Sequence, residues 1–323
     1  QGHAMGGASI VPGQKNVTVL VEPQPLQTAQ VSVVVFEDNN PTNGDVDDTE
    51  PGLANFQVQL YDTAGRIGDV AGPINYDANN QPLKNSLPCA PKAPPGIILT
   101  CADGTALIKN LAPGRFDLAV TPPAGQSDQW IRVSTLEGTR NQDVFTKSGE
   151  PPYFQEFGSP GFHAFIGFVN PAHVKAANKL SGPNTVKGTV TNLHMSRPSN
   201  QTLYDSGSRA ALSQTQAYVG LNAQSGSGQL IAFAEADPNT GAFTISGVPD
   251  GSYQLVVWDQ WLDQIIAYRD VTVTGGQGGD LKDVPVFSWF TRLEQSTYMD
   301  LNGNGKREPG EPGVQQVRVN VRY

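Results

Sequence analysis

The chain has 323 residues, with 30 acidic and 21 basic side chains and a formal net charge of −9. That balance argues against nucleic acid as a partner, because phosphates need basic patches, and it suits an exterior that binds divalent cations. Thirty-five glycines and 25 prolines against three methionines predict many short strands joined by tight turns, an all-β chain long enough for two or three domains. No apolar run approaches the ~18 residues of a membrane span.

The start, Gln1-Gly2-His3-Ala4-Met5, lacks the charged-then-apolar pattern of a leader, so a leader has been removed or the chain begins mid-protein. Residues 8–22 hold one strand-like run, Val17–Val21, with no partner before it. Residues 1–27 are therefore expected to supply the closing strand of a preceding domain.

Residues 28–170 are expected to form the next domain. The run Thr28–Phe36 opens it, and an acidic loop follows. Phe56, Val58 and Leu60 then alternate with Gln57, Gln59 and Tyr61, the period-two mark of a half-buried strand. Residues 104–120 read as strand, Pro113-Gly114 turn, strand, a hairpin. Phe162–Val169 closes the domain, with His163 packed among Phe162, Phe165 and Phe168 rather than poised as a base. Residues 171–183 are a linker, with a short helix expected over 171–180.

A second domain, residues 184–287, opens at Val186–Val190. Its segment 241–257 repeats 104–120 turn for turn, Gly251 standing 137 residues after Gly114. Residues 288–323 then restart the first pattern, with an acidic loop and the strand Val317, Val319, Val321. Two strands cannot make a sandwich, so both ends read as pieces of a longer alternating array.

The loop in this last segment is the most specific motif. Asp300-Leu-Asn302-Gly-Asn304-Gly305-Lys306-Arg-Glu308-Pro-Gly-Glu311 fits the calcium-loop pattern D-x-[DN]-x-[DN]-G-x5-E without a gap. Oxygen ligands fall at Asp300, Asn302 and Asn304. Lys306 can offer its backbone carbonyl, Glu308 a further oxygen, and Glu311 a bidentate carboxylate. Asn-Gly-Asn-Gly is also turn chemistry, but a turn alone does not explain acids at both ends. The earlier loop carries extra residues, so its ligands cannot be assigned by counting. The candidates are Asp38, Asn40, Asn43, Asp47 and Glu50, and Glu311 lies 261 residues after Glu50. Neither loop is flanked by helix-like sequence, which makes calcium a brace on a β scaffold.

Cys89 and Cys101 are the only cysteines, and they flank a proline-rich loop. A disulfide is the expected state, with a metal or redox pair as the alternative. A disulfide would place the chain in an oxidising, exported setting.

With those residues in view, two resemblances emerge. A strand, a D-x-N-x-N-G loop, Glu-Pro-Gly-[Leu/Val] and an alternating strand, at 28–65 and 296–323, resemble the B-type repeats of serine-aspartate-repeat bacterial surface proteins. The G-x-F-x-I-x-G-[apolar]-P-x-G-x-Tyr segment, with Val186–Val190 ahead of it, resembles carboxypeptidase-regulatory-like (prealbumin-like) domains over 184–287. Both imply tandem Ig-like or transthyretin-like β-sandwich domains in an extended array. They also imply an extracellular stalk or adhesin, with calcium stiffening the first type. Related adhesin domains lock themselves with a Lys–Asn isopeptide bond that needs a Glu where this chain has Val120 and Val257, so no such bond is expected.

Enzymatic signals are weak. His3, His163, His173 and His194 fall in no ligand spacing, and no nucleophile-elbow or phosphate-cradling motif occurs. Trp258 and Trp261 could stack on sugar, though on one strand they point to opposite faces. Asn16 and Asn200 head glycosylation sequons. The expectation is a non-catalytic, cell-surface or secreted structural protein. Its partners would be further copies of itself, further modules of the same polypeptide, or a surface ligand or polysaccharide. The rival is a carbohydrate-binding accessory region of a secreted enzyme.

Overall fold

Nine residues, Ala29–Glu37, form strand β1, and all but Gln30 are buried. A run this apolar on both faces belongs in the middle of a covered sheet. In the computed structural model it lies there, antiparallel to β5 (Thr105–Leu111) and parallel to β9 (Ala164–Val169). The structure describes residues 8–19, 27–41, 46–62, 72–133, 142–153, 161–193, 208–210, 216–224, 228–260, 262, 264–265, 267–288 and 296–314. The chain forms two compact units, residues 1–289 and 290–323.

The first unit holds two β-sandwiches. In the first, a sheet ordered β5-β1-β9-β7, with β7 at Ile131–Arg132, faces a second sheet. That second sheet runs β3-β2-β6-β8: Gly72–Ile74, Gln57–Asp62, Gly114–Thr121 and Gln142–Thr146, with β4 (Ile98–Leu99) also on β2. Alternate residues of β2, Val58 and Leu60, meet Val33, Ile108, Leu118 and Ile166 in a core drawn from both sheets.

Helix α1 (Pro171–Ala177) follows. Asn170 caps it, its side-chain oxygen accepting the N–H groups of Ala172 and His173, and Pro171 takes the first position, where no N–H is needed. The second sandwich repeats the plan. Strands β10 (Asn184–Leu193), β11 (Ser208–Ala210), β14 (Ala242–Val248), β16 (Gln264–Ile265) and β18 (Asp280–Ser288) make one sheet. Strands β12 (Ala217–Ala223), β13 (Leu230–Glu235), β15 (Gly251–Asp259) and β17 (Ala267–Val273) make the other. Here too the first and last strands, β10 and β18, pair in parallel.

The expected hairpins are corners. β5 pairs with β1 while β6 pairs with β2 and β8, so Pro113-Gly114 carries the chain from one sheet to the facing one. β14 and β15 do the same in the second sandwich. Two strands flanking a Pro-Gly turn can pair with each other or cross to the opposite sheet, and the local sequence is the same for both. In the second sandwich Tyr253 closes the corner, its hydroxyl donating to the carbonyl of Pro249 at 3.0 Å.

The two sandwiches share a third apolar cluster. Val133, Val169 and Val174 come from the first sandwich and α1, and Leu230, Val256, Trp258 and Leu262 from the second. Residues 8–19, expected to lead into a closing strand, form a turn near Val11–Gln14 and no strand, with Val17 and Val19 exposed. In the second unit Tyr298 and Gly313 form a β-bridge, while the expected strand Val317–Val321 lies outside the described residues.

Candidate metal centres

Both acidic loops hang on the same backbone frame. In the first, Glu37 donates its N–H to the Pro51 carbonyl (2.9 Å), and Leu53 donates to Val35 (2.8 Å). In the second, Met299 donates to Pro312 (3.0 Å) and Val314 to Thr297 (2.9 Å). Each frame closes an isolated bridge, Phe36 with Gly52 and Tyr298 with Gly313. A strand and a returning Glu-Pro-Gly segment are thus clamped together, and the loop between them must fold back on itself.

The closing glutamates sit alike. Glu50 accepts from the N–H groups of Asn39 (2.6 Å), Asn40 (3.1 Å) and Asp47 (2.8 Å). Glu311 accepts from Leu301 (3.0 Å) and Glu308 (2.9 Å). The turn bonds Glu50 N–H to Asp47 O and Glu311 N–H to Glu308 O match as well. This settles the alignment that counting could not. Asp38 corresponds to Asp300, Asn40 to Asn302, Asp47 to Glu308 and Glu50 to Glu311. The first loop is one residue longer between its first acid and its last. Asn43 lies outside the described residues.

Burial separates the loops. Asp300 is partly exposed, and its carboxylate receives the N–H groups of Gly303 (2.7 Å), Asn304 (3.1 Å) and Gly305 (2.7 Å). Those bonds, the Gly305 one foremost, hold its pKa below the usual carboxylate value. Gly305 takes φ = +73°, the left-handed turn the sixth position demands. The side-chain amides of Asn302 and Asn304 donate to Glu308 at 2.7 and 3.0 Å, and Lys306 donates its N–H to Asn304 Oδ1 (2.7 Å).

Asp38 is 1% exposed. Its Oδ1 accepts the Asn40 N–H at 2.9 Å, but its Oδ2 is buried without a hydrogen-bond partner. Burial, and next the charge of Glu50, push its pKa well above the usual value; burial raises Glu50 too. Gly167 on β9 makes room for the carboxylate, since a Cβ there would stand 2.8 Å from Asp38 Oδ2. Asn40 Nδ2 and Asp47 Oδ2 lie 3.5 Å apart. Two buried carboxylates, Asp38 and Glu50, with one Asp38 oxygen unsatisfied, are a pair a hard divalent cation would relieve.

The remaining expected sites fall elsewhere. Cys89 and Cys101 are disulfide-bonded, which excludes the metal alternative for that pair. Trp258 is fully buried, so it offers no face to a sugar; the alternation argument saw that one of the two tryptophans would be core, and Trp258 is that one. Trp261 and Asn200 lie outside the described residues, and Asn16 is exposed. Sequence reasoning missed Gly167 and Asn222, whose side-chain amide donates to Asn40 Oδ1. They belong to other strands, 117 or more residues from the loop, and carry no motif of their own.

No family model matches the chain, and no curated protein matches it. Among solved structures, the Bacillus anthracis TIE protein is similar at 11% identity and TM-score 0.23, over 84% of this chain; the chain spans only 36% of that protein's length. The minor pilin GBS52 of Streptococcus agalactiae is similar at 12% identity and TM-score 0.25, covering 83% of this chain and 99% of the pilin. The major pilin subunit BcpA of Bacillus cereus gives 11%, 0.24, 81% and 100%. At these TM-scores the likenesses carry no argument about what the chain does.

Proposed function

We propose that this chain is a non-catalytic structural segment of an extracellular stalk or fibre, braced by calcium at two loops. One observation carries the reading: the same clamped loop recurs 261–262 residues apart, and the first copy leaves Asp38 Oδ2 buried and unsatisfied. Asp38, Asn40, Asn43, Asp47 and Glu50 would hold the first ion. Asp300, Asn302, Asn304, the Lys306 carbonyl, Glu308 and Glu311 would hold the second. The ion would neutralise crowded acids and fix the strand to the returning Glu-Pro-Gly segment; it has no chemical step to perform. Binding to the folded state alone stabilises by about 2.7 kcal/mol at a hundredfold excess over the dissociation constant.

The disulfide supports an oxidising compartment, and the partners would be further modules or further copies of the chain. The sugar-binding alternative loses Trp258 to the core. Immunogold labelling of native cells tests the reading. Label along surface fibres or stalks is expected; label confined to the cell interior would overturn it.

A further inference from the structure

The first acidic loop does not belong to one sandwich. Asn39 offers its carbonyl to the N–H of Leu230, on β13 of the second sandwich, at 2.6 Å. Asn222, on β12 and 2% exposed, donates Nδ2 to Asn40 Oδ1 at 3.1 Å. Asn222 Oδ1 is itself buried without a partner. Two orphaned oxygens therefore flank one loop, Asp38 Oδ2 from the first sandwich and Asn222 Oδ1 from the second.

We propose that Asn222 is a positioning residue for the first cation site, and that a cation bound there locks the joint between the sandwiches. The proposal rests on the reading of this loop as a divalent-cation site. A ligand amide must turn its oxygen to the cation, yet Asn40 Oδ1 now faces Asn222. A half-turn of the Asn40 amide exchanges oxygen for nitrogen at nearly constant shape. Asn40 Oδ1 then faces the loop acids and Nδ2 faces Asn222. A matching half-turn of Asn222 brings round its Oδ1, which accepts the new donor. The cation satisfies Asp38, and the matched half-turns keep the Asn40–Asn222 hydrogen bond across the joint with donor and acceptor exchanged. Coupling of this kind is reciprocal: if the cation tightens the joint, the closed joint tightens the cation.

The Leu230 N–H reports the joint directly, because its acceptor is the loop carbonyl of Asn39. The test uses the full chain, with calcium chloride as the probe. Amide hydrogen exchange and calcium titration are followed in wild type, Asn222→Ala and Glu50→Gln. In wild type, calcium should slow exchange at Leu230 and leave Val190, bonded to Gly241 within the second sandwich, unchanged. Asn222→Ala should weaken the first site by about tenfold, the low end for outer partners of metal ligands, and abolish the calcium effect at Leu230. The second loop should bind as before. Wild-type affinity and full Leu230 protection in Asn222→Ala would overturn the proposal. If that variant does not fold, the side-chain NH2 resonances of Asn222 in wild type decide. They should move in step with those of Asn40, and if they stay still while Asn40 moves the proposal fails. No response of Asn40 to calcium in wild type, and none lost in Glu50→Gln, would instead sink the cation reading, and the proposal with it.

Discussion

The indole N–H of Trp258, on β15 of the second sandwich, donates to the main-chain carbonyl of Arg132, on β7 of the first, at 3.1 Å. The ring is fully buried, packed against both Tyr218 and Phe233, and joins the cluster that also takes in Val133, Val169 and Val174. The sandwiches are therefore packed against each other, and the helix between them is part of that packing.

Trp258→Ala should cost about 3–5 kcal/mol, the range for deleting a large buried aromatic. Trp258→Phe keeps most of the apolar contact but leaves the Arg132 carbonyl without its donor, a loss of about 1–3 kcal/mol. Urea denaturation of the three proteins checks the order. Equal stability for wild type and Trp258→Ala would mean the joint contributes nothing.

Tyr253→Phe removes only the hydroxyl that bonds Pro249, and should cost about 1 kcal/mol. The equivalent corner of the first sandwich already has Phe116, 137 residues earlier. There Thr146 serves instead, its hydroxyl accepting the Gly114 N–H at 3.1 Å. Thr146→Val should therefore destabilise the first corner as Tyr253→Phe does the second, a comparison thermal unfolding can make.

His163 ties stability to pH. Its Nδ1 accepts the N–H of Ser32 at 3.1 Å, a bond that needs an unprotonated nitrogen. Burial lowers its pKa below 6.5, against an opposing pull from Glu150. The unfolded chain thus takes up a proton first as pH falls. The stabilisation is present above pH 6.5 and is lost as pH drops from 6.5 through the folded value. His163→Gln should flatten the stability profile between pH 7 and pH 5; an unchanged slope would show that other groups set it.

Much of this was legible in the sequence for local reasons. Alternation at Phe56, Val58 and Leu60 marks a strand wherever it pairs, and Gly305 marks the turn of its loop. The corners were misread because pairing partners are chosen at long range: β5 joins β1 and β6 joins β2, neither visible from Pro113-Gly114. The correspondence between the residues of the two loops was hidden by one inserted residue, and the backbone frame around Glu50 reveals it. Asn222 had no signal at all, since its hydrogen bond to Asn40 exists only once two sandwiches touch.

The bracing of both loops by calcium can be measured by calorimetric titration of calcium into the full chain, beside Glu50→Gln and Glu311→Gln. Wild type should show two binding events. One should vanish in each variant, with a higher melting temperature in calcium than in chelator. No calcium heat in any of the three proteins, and the same melting temperature with and without chelator, would contradict it.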